Sequence, residues 1–197
     1  MMAWKNDQVS DKETKRIIEL AKECLKVAGD YVEMGCYRGD TSLLLEEVLR
    51  DYNKSDNVEK KVENSVKQLW IYDSFEGLPE KSDKDESVLG ALFRSGELNV
   101  TKREVKERFL RAGLPVPVIK KAWFGDLVES DLPEKIAFSF LDGDFYESIR
   151  DSLKLVVPRM SRGGIMVIHD YTNPALPGVR EAVDEWGGVD EFKVVLL

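Results

Sequence analysis

Two short, nearly continuous apolar runs, Ile136 to Leu141 and Ile165 to Ile168, constrain the fold of this chain more than any other feature. Strands that are apolar on both faces must be covered on both faces, which is the condition of parallel strands flanked by helices. The remaining sequence alternates stretches of helical period with short apolar runs, as stacked strand-helix units do. Tyr31-Val32-Glu33-Met34 and Leu69-Trp70-Ile71-Tyr72 read as strands, Val116 to Ile119 as a short one, and Phe192 to Leu197 as a terminal one. Ser10-Asp11-Lys12-Glu13 and Thr101-Lys102-Arg103-Glu104 are capping boxes, each of which opens a helix by satisfying two free backbone N–H groups. Ile17, Ile18, Ala21, Leu25 and Ala28 mark the face of the first helix, which Gly29 is expected to end, and Gly113 closes the second. Asp40 is expected to cap a helix through about Tyr52, Ile149 to Met160 carry a helical stripe, Gly163-Gly164 is expected to break the chain, and Pro177-Gly178 starts a last helix to Trp186. The prediction is an α/β fold: a Rossmann-like, doubly wound, mostly parallel sheet of five to six strands, with ligands at its C-terminal strand ends.

At 197 residues the chain suits one domain, 1–197, whose first 29 residues supply a helix covering the sheet. The charged stretch 53–67 is expected to lengthen a crossover. The polar segment 74–98, with its apolar patch Val88-Leu89-Ala91-Leu92-Phe93, predicts a loop carrying a short helix, a lid or ordinary packing. Lys plus Arg number 29 against 37 Asp plus Glu, so a net charge of −8 excludes a nucleic-acid backbone as the main partner. The apolar runs are too short to span a membrane, and Lys5, Asp7 and Asp11 stand where a signal peptide would be apolar. Cys24 and Cys36 are too few for a disulfide framework or a structural zinc site. A soluble, cytoplasmic protein with a small-molecule partner is expected.

The chemistry-bearing residues fall at the predicted strand ends. Gly35 and Gly39, in Glu33-Met34-Gly35-Cys36-Tyr37-Arg38-Gly39-Asp40-Thr41, allow close backbone approach, but their spacing is not that of a dinucleotide fingerprint. Glu33 and Asp40 would repel a pyrophosphate, so the turn suits a cationic, amino-acid-like ligand such as S-adenosylmethionine, or serves only tight strand-helix packing. Asp73 stands where a carboxylate accepts hydrogen bonds from a ribose diol, or caps the turn that begins at Ser74. Asp142-Gly143-Asp144 and His169-Asp170 leave neighbouring strands as two pairs of potential Mg²⁺ ligands, with His169 alternatively a general base and the carboxylates alternatively helix caps. Among the aromatic residues of these loops, Tyr37, Trp123 and Phe124 are the expected contacts for an adenine face and a sulfonium. Cys36 lacks the partners of a nucleophile.

Tyr31-Val32-Glu33-Met34-Gly35-Cys36-Tyr37-Arg38-Gly39, Asp73-Ser74-Phe75-Glu76-Gly77-Leu78-Pro79, Leu141-Asp142-Gly143-Asp144-Phe145-Tyr146-Glu147-Ser148 and His169-Asp170-Tyr171 together resemble the macrocin O-methyltransferase (TylF-like) family, in order over about residues 30 to 186. The resemblance implies a class I S-adenosylmethionine-dependent methyltransferase that methylates a sugar or other small-molecule hydroxyl with Mg²⁺ assistance. Carried over by position, it implies that Glu33, Gly35 and Asp73 hold the cofactor; Tyr37, Gly39, Thr41, Ser74, Trp123, Phe124 and Asp142, at the same strand ends, complete the expected cofactor site. It implies that Asp142 binds the metal and helps deprotonate the acceptor and that Asp170 is a second ligand; His169, from its place at the strand end, is the expected third ligand or the catalytic base. One departure stands out: the family carries Asp-Asp-Tyr where this chain has His169-Asp170-Tyr171, and imidazole is a poorer Mg²⁺ ligand than carboxylate. Leu197 lies near where the sixth strand of the class I fold ends, so a seventh strand is expected to be absent and the exposed edge predicts a homodimer. A non-catalytic binding module of the same fold is the alternative reading; a nicotinamide oxidoreductase is disfavoured by the acidic turn and the missing glycine.

Overall fold

The computed structural model describes residues 8–55, 66–188 and 190–197. Among them, six strands form one sheet: β1 (Asp30–Met34), β2 (Leu69–Asp73), β3 (Val118–Lys121), β4 (Ile136–Leu141), β5 (Met160–Ile168) and β6 (Lys193–Leu196). Their order is β3-β2-β1-β4-β5-β6, and every neighbouring pair is parallel. The helices α1 (Asp11–Glu23), α2 (Asp40–Lys54), α3 (Lys102–Ala112), α4 (Tyr146–Val156) and α5 (Pro177–Trp186) cover it.

Side-chain alternation along the strands divides the core between the two faces. Tyr31, Phe138, Phe140 and Val167 pack with Leu20 of α1, Leu45 of α2 and Phe109 of α3. Val32, Met34, Met166 and Ile168 pack with Ile149 and Val156 of α4 and Val179 of α5. All six residues of β4 are buried, which accounts for its nearly unbroken apolar sequence. The strand order reverses between β1 and β4, and the connections leaving their C-terminal ends diverge to opposite faces. This opens a crevice there.

The capping boxes form as predicted: the Glu13 carboxylate accepts from the Ser10 backbone N–H at 3.1 Å, and the Glu104 carboxylate from that of Thr101 at 2.8 Å. Other boundaries differ, each for a physical reason. The first helix ends at Glu23 and tightens into a 3-10 turn over Cys24–Lys26. Gly29 is therefore no helix cap; at φ +112° it lets the chain pass the Lys135 carbonyl, which a Cβ would meet at 2.7 Å. Asp40 does not cap α2 either, because Gly39 holds the N-cap position in a left-handed conformation and the Asp40 carboxylate accepts from Arg108 at 2.5 Å instead. Strand β3 begins two residues late, at Val118, since Pro117 has no N–H to give a ladder. Gly163-Gly164 lies inside β5, at a register irregularity where a Cβ on Gly164 would meet the Ala137 carbonyl at 2.8 Å.

The 74–98 segment holds only a 3-10 turn, Asp83–Asp85, and its apolar patch does not fold inward. Val88, Leu89 and Leu92 are 94%, 64% and 76% exposed, while Phe93 alone of the large patch residues faces the crevice. The loop is pinned at its neck, where Leu78 N–H donates to the Glu97 carbonyl and Gly96 N–H to that of Leu78. The Ser87 hydroxyl, at its far end, donates to the Pro174 carbonyl at 2.9 Å. Most of the charged 53–67 stretch, and the N-terminal Lys5 and Asp7, lie outside the described residues. No helix among the described residues is long and apolar enough to cross a membrane.

Candidate active site

The C-terminal ends of β1, β2, β3, β4 and β5 surround an open cavity of about 1050 Å³, solvent-filled mouth included. Its lining includes Glu33, Gly35, Tyr37, Thr41, Asp73, Ser74, Trp123, Phe124, Asp142, His169 and Asp170. Gly39 is the exception among the predicted site residues: it turns the chain into α2, and a Cβ there would meet Val105 at 3.3 Å. Gly35 shows why β1 must end in glycine. At φ +87° it lies so close to β4 that a Cβ would fall 2.0 Å from the Asp142 carbonyl oxygen. Phe75 and Phe145 are buried in the two cores, and the Tyr146 hydroxyl donates to Glu185.

Asp73 braces the glycine turn. One carboxylate oxygen accepts from the backbone N–H groups of Cys36 at 2.9 Å and Tyr37 at 3.2 Å, and the other from Phe75 N–H at 2.7 Å. These contacts hold Tyr37 and Phe75 at φ 44° and 51°. A carboxylate offers about four lone-pair sites, so room is left for one ligand hydroxyl rather than for both arms of a diol. Ser74 is likewise committed, donating to the Gly77 carbonyl at 2.9 Å.

Six carboxylates line the cavity, those of Glu33, Asp40, Asp73, Asp142, Asp144 and Asp170. Glu33 is buried on β1 and accepts from the Ser42 hydroxyl; burial pushes its carboxyl up to about 8, against the pull of that hydrogen bond. Burial also raises the Cys36 thiol well above its ordinary value, leaving it inert as a nucleophile.

His169 and Asp142 leave adjacent strands side by side, because Leu141 pairs with Ile168. His169 Nδ1 lies 3.1 Å from Asp142 Oδ1 and 2.8 Å from Asp170 Oδ2, and Asn173 Nδ2 donates to Asp170 Oδ1 at 2.8 Å. The ring meets Phe140 edge-on at 6.0 Å, and Nε2 faces Glu13 Oε2 of α1 at 3.9 Å. Burial alone would lower the imidazole's proton affinity, but Asp142 and Asp170 reverse this and bring it up to about 11. Burial raises Asp142 despite the opposing His169 charge, and raises Asp144 well above its ordinary range, reinforced by Asp142 and Asp170.

Asp142, His169 and Asp170 are the one group of three potential metal-ligand side chains among the described residues, with ligand atoms within 4.8 Å of one another. Around an ion with bonds of about 2.1 Å, neighbouring octahedral positions are about 3.0 Å apart. The two separations from His169 Nδ1 match that spacing, and the third lies within 4.8 Å, so the residue types and their closeness suit a divalent ion. Sequence reasoning expects acceptor contacts from the segments 74–98, 123–130 and 171–178 without naming residues; Leu98, Asn173 and Leu176 of these segments line the cavity. Asp144 was legible only as half of an Asp-x-Asp pair. No hydrogen bond to its carboxylate is found among the described residues.

An open parallel sheet of this order, with a carboxylate-lined crevice at its reversal point, places the chain in the α/β methyltransferase fold class. The solved structure of the O-methyltransferase NovP superposes with a TM-score of 0.73 at 29% identity, covering 89% of this chain and 70% of that one. The chain belongs to the macrocin-O-methyltransferase (TylF) family, whose pattern matches residues 12–194. It is 33% identical over 167 residues to the 8-demethyl-8-(2,3-dimethoxy-alpha-L-rhamnosyl)-tetracenomycin-C 4'-O-methyltransferase of Streptomyces olivaceus, covering 82% of this chain and 59% of the relative. It is 30% identical over 167 residues to the mycinamicin III 3''-O-methyltransferase of Micromonospora griseorubida, covering 81% of this chain and 61% of the relative. The chain thus spans about three-fifths of the length of these curated relatives.

Proposed function

We propose that this chain transfers the methyl group of S-adenosylmethionine to a hydroxyl of a sugar or glycoside, with a divalent ion held by Asp142, His169 and Asp170. The observation that carries the reading is the crevice itself, in which six acidic side chains outnumber the one guanidinium, Arg38, and the one imidazole, His169, around the space beside Gly35. Such a surface favours a ligand with a cationic ammonium and a cationic sulfonium and opposes one bearing phosphates. The names of the two curated relatives, each an O-methyltransferase, support the reaction type, and the first names a rhamnosyl acceptor.

In this reading Glu33 and the turn at Gly35 receive the amino-acid end, Asp73 takes one ribose hydroxyl, and Trp123 and Phe124 offer apolar faces to the base. A bound divalent ion would lower the proton affinity of the acceptor hydroxyl. Asp144, which lines the same cavity and whose proton affinity burial has raised, is suited to take the proton that the hydroxyl loses, while Asp142 on the ion orients that hydroxyl. Positioning the oxygen in line with the sulfonium methyl supplies the remaining rate.

Asp142→Ala is expected to abolish methyl transfer to a panel of hydroxylated glycosides while leaving S-adenosylhomocysteine affinity within about threefold. Unchanged turnover in that variant would remove Asp142 from catalysis. Cofactor binding by the unaltered chain with no transfer to any panel member, with or without divalent ions, would instead assign it a binding role.

A further inference from the structure

We propose that His169 makes the Asp142-His169-Asp170 centre a nitrogen-containing site that selects a borderline transition ion, such as Co²⁺ or Zn²⁺, over Mg²⁺, with Nδ1 on the ion and Nε2 turned to Glu13. The inference deepens the metal-assisted reading above and rests on it. Mg²⁺ is hard, prefers oxygen donors and gives up its water reluctantly, whereas neutral imidazole suits the later first-row ions such as Zn²⁺ and Ni²⁺. Here the imidazole cannot stand aside as a spectator. Its Nδ1 lies between the two carboxylates, 3.1 Å from Asp142 Oδ1 and 2.8 Å from Asp170 Oδ2, so any ion shared by both carboxylates meets the ring nitrogen as well.

The surroundings hold all three donors in place. The His169 backbone N–H continues the β4–β5 ladder by donating to the Leu141 carbonyl at 3.0 Å, and Phe140 packs against the ring. Asp170 stands in the left-handed region at φ 61°, and Asn173 donates to its Oδ1 at 2.8 Å, which leaves Oδ2 for the ion. On the far side of the ring, Glu13 Oε2 is 3.9 Å from Nε2 and is itself held by the Ser10 backbone N–H. A carboxylate behind a ligating imidazole fixes its tautomer and raises its basicity, and removing such a partner usually costs about 10- to 100-fold in metal affinity. Glu13, 3.9 Å from Nε2 and without a direct hydrogen bond to it, supplies the negative charge behind the ring, and α1, besides covering the sheet, reaches the edge of the metal site.

The test uses the metal-stripped full chain without acceptor or cofactor. Calorimetric titrations with Mn²⁺, Co²⁺, Zn²⁺ and Mg²⁺ give the selectivity, and electron spin-echo modulation on the Mn²⁺ form reads ¹⁴N coupling from a ligating imidazole directly. The expected results are tighter binding of Co²⁺ and Zn²⁺ than of Mg²⁺, clear ¹⁴N modulation, and a Co²⁺-to-Mg²⁺ affinity ratio that falls at least about tenfold in His169→Asp. Glu13→Gln, which keeps a capping-box residue, should weaken Co²⁺ several-fold and Mg²⁺ less. Absent ¹⁴N modulation, equal or tighter Mg²⁺ binding, or an unchanged ratio in His169→Asp would overturn the proposal. The spin-echo measurement on the unaltered chain decides it even if His169→Asp fails to fold. S-adenosylhomocysteine titrated separately tests the methyl-transfer reading, so the two can fail independently.

Discussion

Gly35 carries two constraints at once: a backbone conformation that side chains rarely adopt and a gap to the Asp142 carbonyl oxygen that leaves no space for a Cβ. Gly35→Ala should therefore destabilise the fold by about 3 kcal/mol, seen as a lower urea midpoint with an unchanged slope. A loss below about 0.5 kcal/mol would contradict this geometry. Glu46 makes a second residue-level case. It is buried on α2, and burial pushes its carboxyl from 4.5 up to about 7, with Arg50 opposing. A carboxyl whose folded value lies above the unfolded one contributes stability that is complete below about 4.5 and is lost as pH rises through about 7. Glu46→Gln, which cannot ionise, should thus gain on the unaltered chain by on the order of 2 kcal/mol at pH 8 and by little at pH 4. An equal gap at both values would contradict it. The residue types of the site were legible because carboxylates, glycines and aromatic rings cluster at strand ends in the sequence. Their commitments were not. Asp73 spends three hydrogen bonds on its own loop, and Asp40 pairs with Arg108; both partnerships depend on chain geometry that spacing does not encode.

At the scale of elements, local chemistry made the helix starts readable. Ser10 with Glu13 and Thr101 with Glu104 each sit where their boxes predict, since capping is settled within four residues. Thr101→Ala should accordingly cost about 1 kcal/mol of stability, measured by chemical denaturation, and a neutral outcome would show that α3 is held by Phe109 and Val105 alone. Strand β4 was read with its observed bounds because every residue in it is buried. Glycine was the less reliable punctuation mark. Gly163-Gly164 resembles a break, yet the pair admits a neighbouring carbonyl and lets β5 continue. The 74–98 loop was the hardest element to read, because hydrophobic residues carry no statement of direction. Val88, Leu89 and Leu92 face solvent, while the loop is held by backbone and polar contacts at Leu78, Ser87 and Gly96.

For the whole molecule, the order β3-β2-β1-β4-β5-β6 fixes where a ligand can sit, and six acidic side chains line that place. The alternation of strands and helices made this architecture accessible from sequence. The acceptor's contacts remained out of reach because they lie in loops. The account's central claim is that the carboxylate-lined crevice beside Gly35 receives a cationic sulfonium nucleoside. The most direct measurement is a calorimetric titration of the purified chain with S-adenosylmethionine and S-adenosylhomocysteine, with NAD as the phosphate-bearing control. The account predicts saturable heat with a micromolar Kd for both sulfur ligands and none for NAD; NAD binding, or no heat from either sulfur ligand, would contradict it.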